Sequence, residues 1–155
     1  MTKKRVLLGI TVPELLIGLL VIGVVIAIFV YALGVQRATT RDAKRVSDVS
    51  VMRAAFGQYW LQKATYPVSE GTYLGQPGSG IERLGANGLV AGNDNTTPVF
   101  LDFFPVGPSS NEYYGYRGND KGYSLIFKTE RQTAYGLPGT YYAHATGVDQ
   151  LDEIK

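Results

Sequence analysis

Cysteine is absent from this sequence of 155 residues, and histidine and tryptophan occur only once each. Without cysteine the chain can form no disulfide bond, thiolate metal site or cysteine nucleophile. The single histidine, His144, rules out zinc motifs that need two histidines, and the sequence contains neither a Gly-x-Ser-x-Gly elbow nor a phosphate-binding loop. We therefore predict a protein that is not an enzyme and uses no cofactor or metal, with His144 in a structural or surface role.

Charge is also scarce: Asp, Glu, Lys and Arg make up 18% of the residues, against roughly 25% in a typical soluble domain. Three of the positive charges, Lys3, Lys4 and Arg5, lie at the start of the chain. The net charge is +2, and removal of the first nine residues would change it to −1, because these nine residues carry +3. The basic pI is therefore weak evidence for nucleic-acid binding.

The longest apolar run covers residues 15–35, which contain no charge and no polar side chain other than Tyr31. This run has 21 residues, and a helix needs about 20 apolar residues to cross a bilayer. The apolar core of a cleaved secretory signal is shorter, about 7–15 residues. The run therefore predicts a membrane-spanning helix, and a simple signal anchor is one interpretation of it.

An acidic residue, Glu14, stands at the edge of this apolar run. Thr11-Val12-Pro13-Glu14 has the sequence of a capping box, and Pro13 suits the first turn of a helix. One interpretation of Glu14 is therefore a cap at the helix N-terminus. A carboxylate at a membrane edge is also costly unless it meets a cation, so a second interpretation gives Glu14 a charged partner.

The helical pattern continues beyond the apolar run. Apolar residues recur at spacings of three and four, which predicts one buried helix face: Val46, Val49, Met52, Phe56 and Tyr59. Charges occupy the opposite face at Arg41, Asp42, Lys44, Arg45, Asp48 and Arg53. We predict a single helix from about residue 10 to about residue 62, which Thr65-Tyr66-Pro67 ends.

The remaining residues favour a small antiparallel sheet. Strand patterns at 113–117 and 123–129 flank a glycine-rich turn, and 140–146 is a third predicted strand. Residues 64–112 are predicted to be a connecting loop, with short helices near 81–86 and 98–104. The predicted fold class is α+β: a long N-terminal helix, hydrophobic in its first half and amphipathic in its second half, packed on a small antiparallel sheet.

The segment from Lys3 to Gly9, followed by Ile10-Thr11-Val12-Pro13-Glu14, resembles the class III signal of type IV prepilins and pseudopilins. In that family a short basic leader ends in glycine, a hydrophobic residue follows, and an acid stands fifth after the cut. The resemblance implies that a prepilin peptidase cleaves after Gly9 and methylates the new N-terminus at Ile10. It also implies that Glu14 pairs with the free amine of a neighbouring subunit during assembly.

The same resemblance implies the pilin fold and five parts: leader 1–9, transmembrane and filament-core helix 10–36, amphipathic helix 37–63, connecting loop 64–112, and sheet with C-terminal tail 113–155. It implies a single-pass precursor in the cytoplasmic (inner) membrane, with the leader in the cytoplasm, that becomes a subunit of a cell-surface type IV pilus serving adhesion or motility. The implied partners are other copies in a helical homopolymer, the prepilin peptidase, the pilus assembly machinery and the lipid bilayer. Two alternatives stay open: a major pseudopilin of a type II secretion system, and a single-span anchored binding module.

Two features of the helix allow two interpretations each. Gly18 and Gly23 either let residues 18–26 partly melt on polymerisation, as in similar pilins, or only allow close helix packing. The charges from Arg41 to Asp48 either form a solvated helix face or pair between stacked subunits.

Two features of the later sequence could in principle bind a ligand. Asn93-Asp94-Asn95 and Asn119-Asp120 have oxygen donors that suit calcium, but neither segment has a full ligand set, so turns are the favoured interpretation. Seven of the eleven tyrosines follow residue 110. Because no basic patch accompanies them, sheet packing is favoured and nucleic acid is a partner without support from the sequence.

Overall fold

The computed structural model describes residues 11–155, which form one helix and seven strands. The helix, α1, spans Val12–Lys63. The chain divides into two compact units, one ending at Arg37 and the other spanning Ala38–Lys155, which we call the head. The predicted α+β fold, with a long N-terminal helix packed on a small antiparallel sheet, is confirmed.

The end of α1 lies one residue beyond its predicted position. Ala64, the next residue, has a φ of 54° and donates its backbone N–H to the carbonyl oxygen of Trp60 at 2.7 Å. A left-handed residue after the last helical one is a common way to satisfy the final carbonyl groups. Residues 64–68, which include Tyr66-Pro67, are neither helix nor strand.

The seven strands form two antiparallel sheets. Their bounds are β1 Ser69–Leu74, β2 Arg83–Gly85, β3 Gly88–Val90, β4 Tyr114–Gly118, β5 Tyr123–Thr129, β6 Gly139–Ala143 and β7 Val148–Asp149. The main sheet has the strand order β1-β4-β5-β6-β7, and β2 and β3 pair as a separate hairpin. The predicted hairpin around residues 118–122 is confirmed as β4 and β5, with Tyr116 opposite Leu125.

Three of these strands lie in the segment 64–112, which the sequence predicted as a loop with short helices. The predicted helices near 81–86 and 98–104 are wrong, because the first is mostly β2 and the second contains no helical residue. Leu84 of β2 is fully buried and forms an antiparallel bridge to Leu101. The apolar residues that suggested helices are thus paired as extended chain.

The core of the head lies between the amphipathic part of α1 and one face of the main sheet. The predicted helix face is confirmed at Val49, Met52, Phe56 and Tyr59, which are buried. The ring of Phe56 stacks on Tyr116 with centroids 4.9 Å apart. Aromatic pairs at this separation add stability beyond the apolar area that they bury.

Four of the late tyrosines face this core. Tyr114, Tyr116, Tyr123 and Tyr141 are all at most 2% exposed, which confirms sheet packing for these four. The buried hydroxyl of Tyr116 donates to the carbonyl oxygen of Pro67 at 2.8 Å. A buried tyrosine needs such a partner, because an unpaired hydroxyl in the core is costly.

Candidate functional site

The apolar half of α1 has no cover within the described chain. All side chains from residue 11 to residue 34 are exposed. By length and composition this helix can cross a membrane, and a signal sequence near the N-terminus has the same properties. An exposed apolar surface of this extent is typical of contact with lipid or with another protein. The first part of α1 is therefore compatible with a membrane anchor or a signal.

The start of α1 has the half of a capping box in which the acid binds the backbone N–H three residues before it. The backbone N–H and the hydroxyl of Thr11 both donate to Oε2 of Glu14, each at 2.8 Å. Glu14 lies in the first turn, where the unpaired N–H groups of the helix favour a negative charge. The cap interpretation of Glu14 thus has a direct geometric basis. The two residues of the predicted cleavage, Gly9 and Ile10, lie outside the described residues.

Gly18 and Gly23 both lie within the continuous helix. A Cβ atom built on either glycine would meet nothing within 4 Å among the described residues. Packing inside one subunit therefore does not require glycine at these positions. Both the melting of residues 18–26 in a filament and close packing against another helix stay predictions.

The head contains a partly buried group of charges that we call the ion cluster. Its members are Arg41, Asp42, Arg45, Glu112 and Glu130. Asp42 is 2% exposed and Arg45 is 5% exposed. The interpretation of this helix surface as fully solvated is therefore wrong for these two residues, because later parts of the same head cover them. Pairing between stacked subunits stays a prediction.

Arg45 is the centre of the ion cluster. Its Nε lies 2.5 Å from Oε1 of Glu112, and its Nη1 lies 2.7 Å from Oδ1 of Asp42 and 2.8 Å from Oε1 of Glu130. Asp42 also accepts the backbone N–H groups of Glu130 and Arg131. Charge-assisted hydrogen bonds of this kind are stronger than those between neutral groups. The cluster therefore links α1 to the residues that follow β5 and to the loop before β4.

The ion cluster also changes the acidity of its members. Hydrogen bonds from Arg41 and then Arg45 lower the pKa of Glu130 to about 2. The guanidinium of Arg45 likewise lowers the pKa of Glu112, and its three carboxylate partners, Glu112 first, raise the pKa of Arg45. Glu112, Glu130 and Arg45 therefore stay charged at neutral pH.

Glu112 and Glu130 were not predicted as partners of Arg45. They lie 67 and 85 residues away in the chain, so no local spacing predicts the contact. The available signal was the crowding of five charges between Arg41 and Asp48 beside an apolar helix face. A second contact links the same surface to β4, because the hydroxyl of Tyr114 donates to Oδ2 of Asp48 at 2.8 Å.

The segments weighed as calcium sites are engaged in turns. Oδ1 of Asp94 accepts the backbone N–H and the hydroxyl of Thr96, at 2.7 and 2.6 Å. Oδ1 of Asn119 accepts the backbone N–H groups of Lys121 and Gly122, both at 2.9 Å. These bonds are the usual turn chemistry of Asp and Asn. Within residues 11–155, no group of three or more His, Cys, Asp or Glu side chains is placed to hold a metal.

His144 is fully buried at the end of β6. Its ring contacts the strand β5 backbone and the carboxylate of Asp149. The structural role predicted for His144 fits this packing, and its surface alternative is wrong.

No family profile, curated protein or solved structure matches this chain. The long apolar helix and the antiparallel sheet are compatible with a pilin-like fold.

Proposed function

We propose that this chain is the structural subunit of a type IV pilus filament, cleaved after Gly9 by a prepilin peptidase and polymerised through its N-terminal helix. The observation that carries the proposal is the uncovered apolar half of α1, which belongs to the same helix that forms the core of the head. Lipid covers this half before assembly, and the same half of other copies covers it in the filament.

The sequence order around Glu14 supports the same proposal. The apolar run begins directly after Glu14, and the capping box fixes the carboxylate at the start of the helix. A carboxylate in an apolar layer gains most from a cation in the same layer. The free amine that cleavage creates at Ile10 of a neighbouring subunit is such a cation.

Intact-mass spectrometry of protein sheared from the cell surface tests the proposal. We expect a mass that starts at Ile10 and carries one added methyl group. Before cleavage, we expect the precursor in the cytoplasmic membrane with its leader on the cytoplasmic side. A mass that starts at Met1, found only in the membrane fraction, would contradict both cleavage and assembly.

Two variants separate processing from assembly. Gly9→Val is expected to block cleavage, and Gly57→Ala is its control because a methyl group at Gly57, in the head part of α1, meets nothing within 4 Å. Glu14→Gln removes the charge and keeps the shape, so we expect cleaved subunits that do not polymerise. Its matched control is Glu153→Gln, at an exposed position of the head. Filaments of normal yield from Glu14→Gln would contradict the proposed pairing.

The second candidate in the same superfamily is a major pseudopilin of a type II secretion system. It shares the cleavage, the methylation and the role of Glu14. Deletion of the gene separates the two functions, because a pilin deletion removes surface filaments whereas a pseudopilin deletion stops the release of exported proteins.

A candidate of another class is a single-span anchored binding module. The observation that favours it is a wide groove of about 1370 Å³ in the head, whose lining includes Tyr73, Tyr113, Arg117 and Lys128. This function requires neither cleavage nor a charged Glu14. Uncleaved protein together with full function of Glu14→Ala would make it the better account.

A further inference from the structure

The wide groove in the head lies over the outer face of the main sheet, and we call it the sheet groove. Gly115 of β4 is part of its lining and stands opposite Tyr73 of β1 on one side and Ile126 of β5 on the other. Opposed residues of antiparallel strands point to the same face. The chain neighbours Tyr114 and Leu125 are buried in the core, so Tyr73 and Ile126 project from the opposite face.

Gly115 keeps the floor of the sheet groove low. A Cβ atom at this position would lie 3.5 Å from Cδ1 of Ile126, which is an ordinary contact, and the backbone of Gly115 is not left-handed. Neither crowding nor backbone conformation therefore requires glycine there. Glycine inside a strand weakens the strand, and it often marks a place where a ligand or another backbone approaches closely.

The walls of the sheet groove combine aromatic and amide side chains. Tyr73 is 60% exposed, and Tyr113 is half-buried in the same lining. The exposed residues Gln76 and Asn111 also line the groove. A tyrosine ring offers a flat apolar face, and an amide side chain both donates and accepts hydrogen bonds. This mixture suits a ligand that has hydroxyl groups and flat ring faces.

The sheet groove has one uncommitted charge. Its lining includes three members of the ion cluster, which pair with one another, and Arg117, which pairs with Asp152. Lys128 also lines the groove, is exposed, and has no ion-pair partner among residues 11–155. It follows Ile126 by two residues on the same face of β5, roughly 7 Å further along the groove. An anionic group on the ligand would complement Lys128.

We propose that the sheet groove binds a short acidic oligosaccharide, with a sugar ring stacked on Tyr73 above Gly115 and a sugar carboxylate paired with Lys128. All of these residues lie within the head. The inference therefore does not depend on cleavage or polymerisation, and its failure would leave the filament proposal unchanged.

Two other classes of ligand fit the sheet groove less well. β4 pairs with both β1 and β5, so an extended peptide laid on the floor finds no free backbone partners to add to. Single-stranded nucleic acid binds to grooves whose positive charges follow the phosphate backbone. Here one cation is uncommitted, and Glu112 and Glu130 lie in the same lining.

Fluorescence anisotropy of labelled probes with the full chain in detergent micelles tests the proposal. The acidic probes are hexasaccharides of alginate and of hyaluronan, and maltohexaose is the neutral probe. We expect at least one acidic hexasaccharide to bind about tenfold or more tightly than maltohexaose, as for one added charge-assisted hydrogen bond. No binding of either acidic probe, or binding no tighter than that of maltohexaose, would overturn the proposal. Tighter binding of a thymidylate hexamer or of hexaglutamate would overturn the choice of ligand.

A substitution in the floor tests the place of binding. Valine suits a strand, so Gly115→Val should keep the urea midpoint of the head while its side chain fills the floor. We expect it to weaken binding of the acidic hexasaccharide at least tenfold. A normally folded Gly115→Val protein with unchanged affinity would show that the ligand binds elsewhere.

A substitution in the wall tests the charge and carries the test if Gly115→Val does not fold. Lys128→Met should weaken binding of the acidic hexasaccharide about tenfold to a hundredfold and leave binding of maltohexaose unchanged. The matched control is Lys121→Met, because Lys121 is exposed in the turn between β4 and β5, outside the groove lining. Equal effects of Lys128→Met and Lys121→Met would contradict the pairing with Lys128.

Discussion

Replacing Arg45 with methionine tests whether the ion cluster holds the head together. Arg45 and Asp42 are 5% and 2% exposed, and their charges neutralise each other. Methionine keeps much of the side-chain length but leaves Asp42 as a buried charge without a cation. Removing one partner of a buried ion pair costs about 3–5 kcal/mol, and we expect a loss of that size in the free energy of unfolding.

Urea unfolding of the full chain in detergent micelles measures this loss. Trp60, the single tryptophan, reports on the end of α1 by its fluorescence. The matched control is Arg41→Met, because Arg41 pairs with Glu130 at a position where both side chains are more than a third exposed. Exposed pairs contribute about 0.2–1 kcal/mol. Equal losses for Arg41→Met and Arg45→Met would refute the argument that burial makes Arg45 the important member.

A double variant sharpens the same prediction. Asp42→Asn combined with Arg45→Met removes the buried Asp42 charge together with the guanidinium, and the carboxylate that loses its cation is then Glu112, which is partly exposed. We therefore expect the double variant to lose less stability than the two single variants together, by about 0.5–3 kcal/mol. Additive losses would mean that Asp42 stabilises the head through its backbone contacts alone.

Three other measurements follow from the contacts of single residues. Thr11→Val removes one donor of the capping box and should weaken the first turn of α1 by about 1 kcal/mol, seen as faster amide exchange at Leu15, while Thr11→Ser should not. The pKa of Glu130 is lowered from 4.5 to about 2, so its stabilising contribution is complete above about pH 4.5 and is lost as the pH falls toward 2; Glu130→Gln should flatten this part of the acid-unfolding curve. Phe56→Ala should cost about 3–5 kcal/mol in urea unfolding, and Gln58→Ala on the exposed face should cost less than about 0.5 kcal/mol.

The parts of the fold that the sequence predicted are those with a local signal. Apolar spacing from Val49 to Tyr59 predicted the buried face of α1, and the turn at residues 118–122 predicted β4 and β5. The hairpin of β2 and β3 also had a local signal, since its two-residue turn, Ala86-Asn87, is followed directly by Gly88, the first residue of β3. This signal was hidden because glycine is frequent throughout that segment. Gly88 has a φ of 95°, which explains glycine at this position.

The parts that the sequence did not predict depend on distant pairing. β1 contains Gly71 and an irregular register between Ser69 and Thr72, so it lacks a regular alternating pattern. It is a strand because Leu74 packs in the core and because β4 supplies hydrogen-bond partners. The ion cluster has the same origin, since Arg45 and Glu130 are far apart in the sequence and come into contact only in the folded head.

The two units differ in what they need from their surroundings. All members of the core and of the ion cluster lie within the head, Ala38–Lys155. Residues 11–34, in contrast, expose apolar side chains throughout. Covering apolar surface contributes about 25 cal/mol per Å², and residues 11–34, which nothing in the described chain covers, gain it from lipid or another molecule. A charge placed there, as in Leu19→Asp, should therefore reduce membrane insertion or assembly and leave the urea midpoint of the head unchanged. A lowered midpoint would show instead that the stability of the head depends on the apolar half of α1.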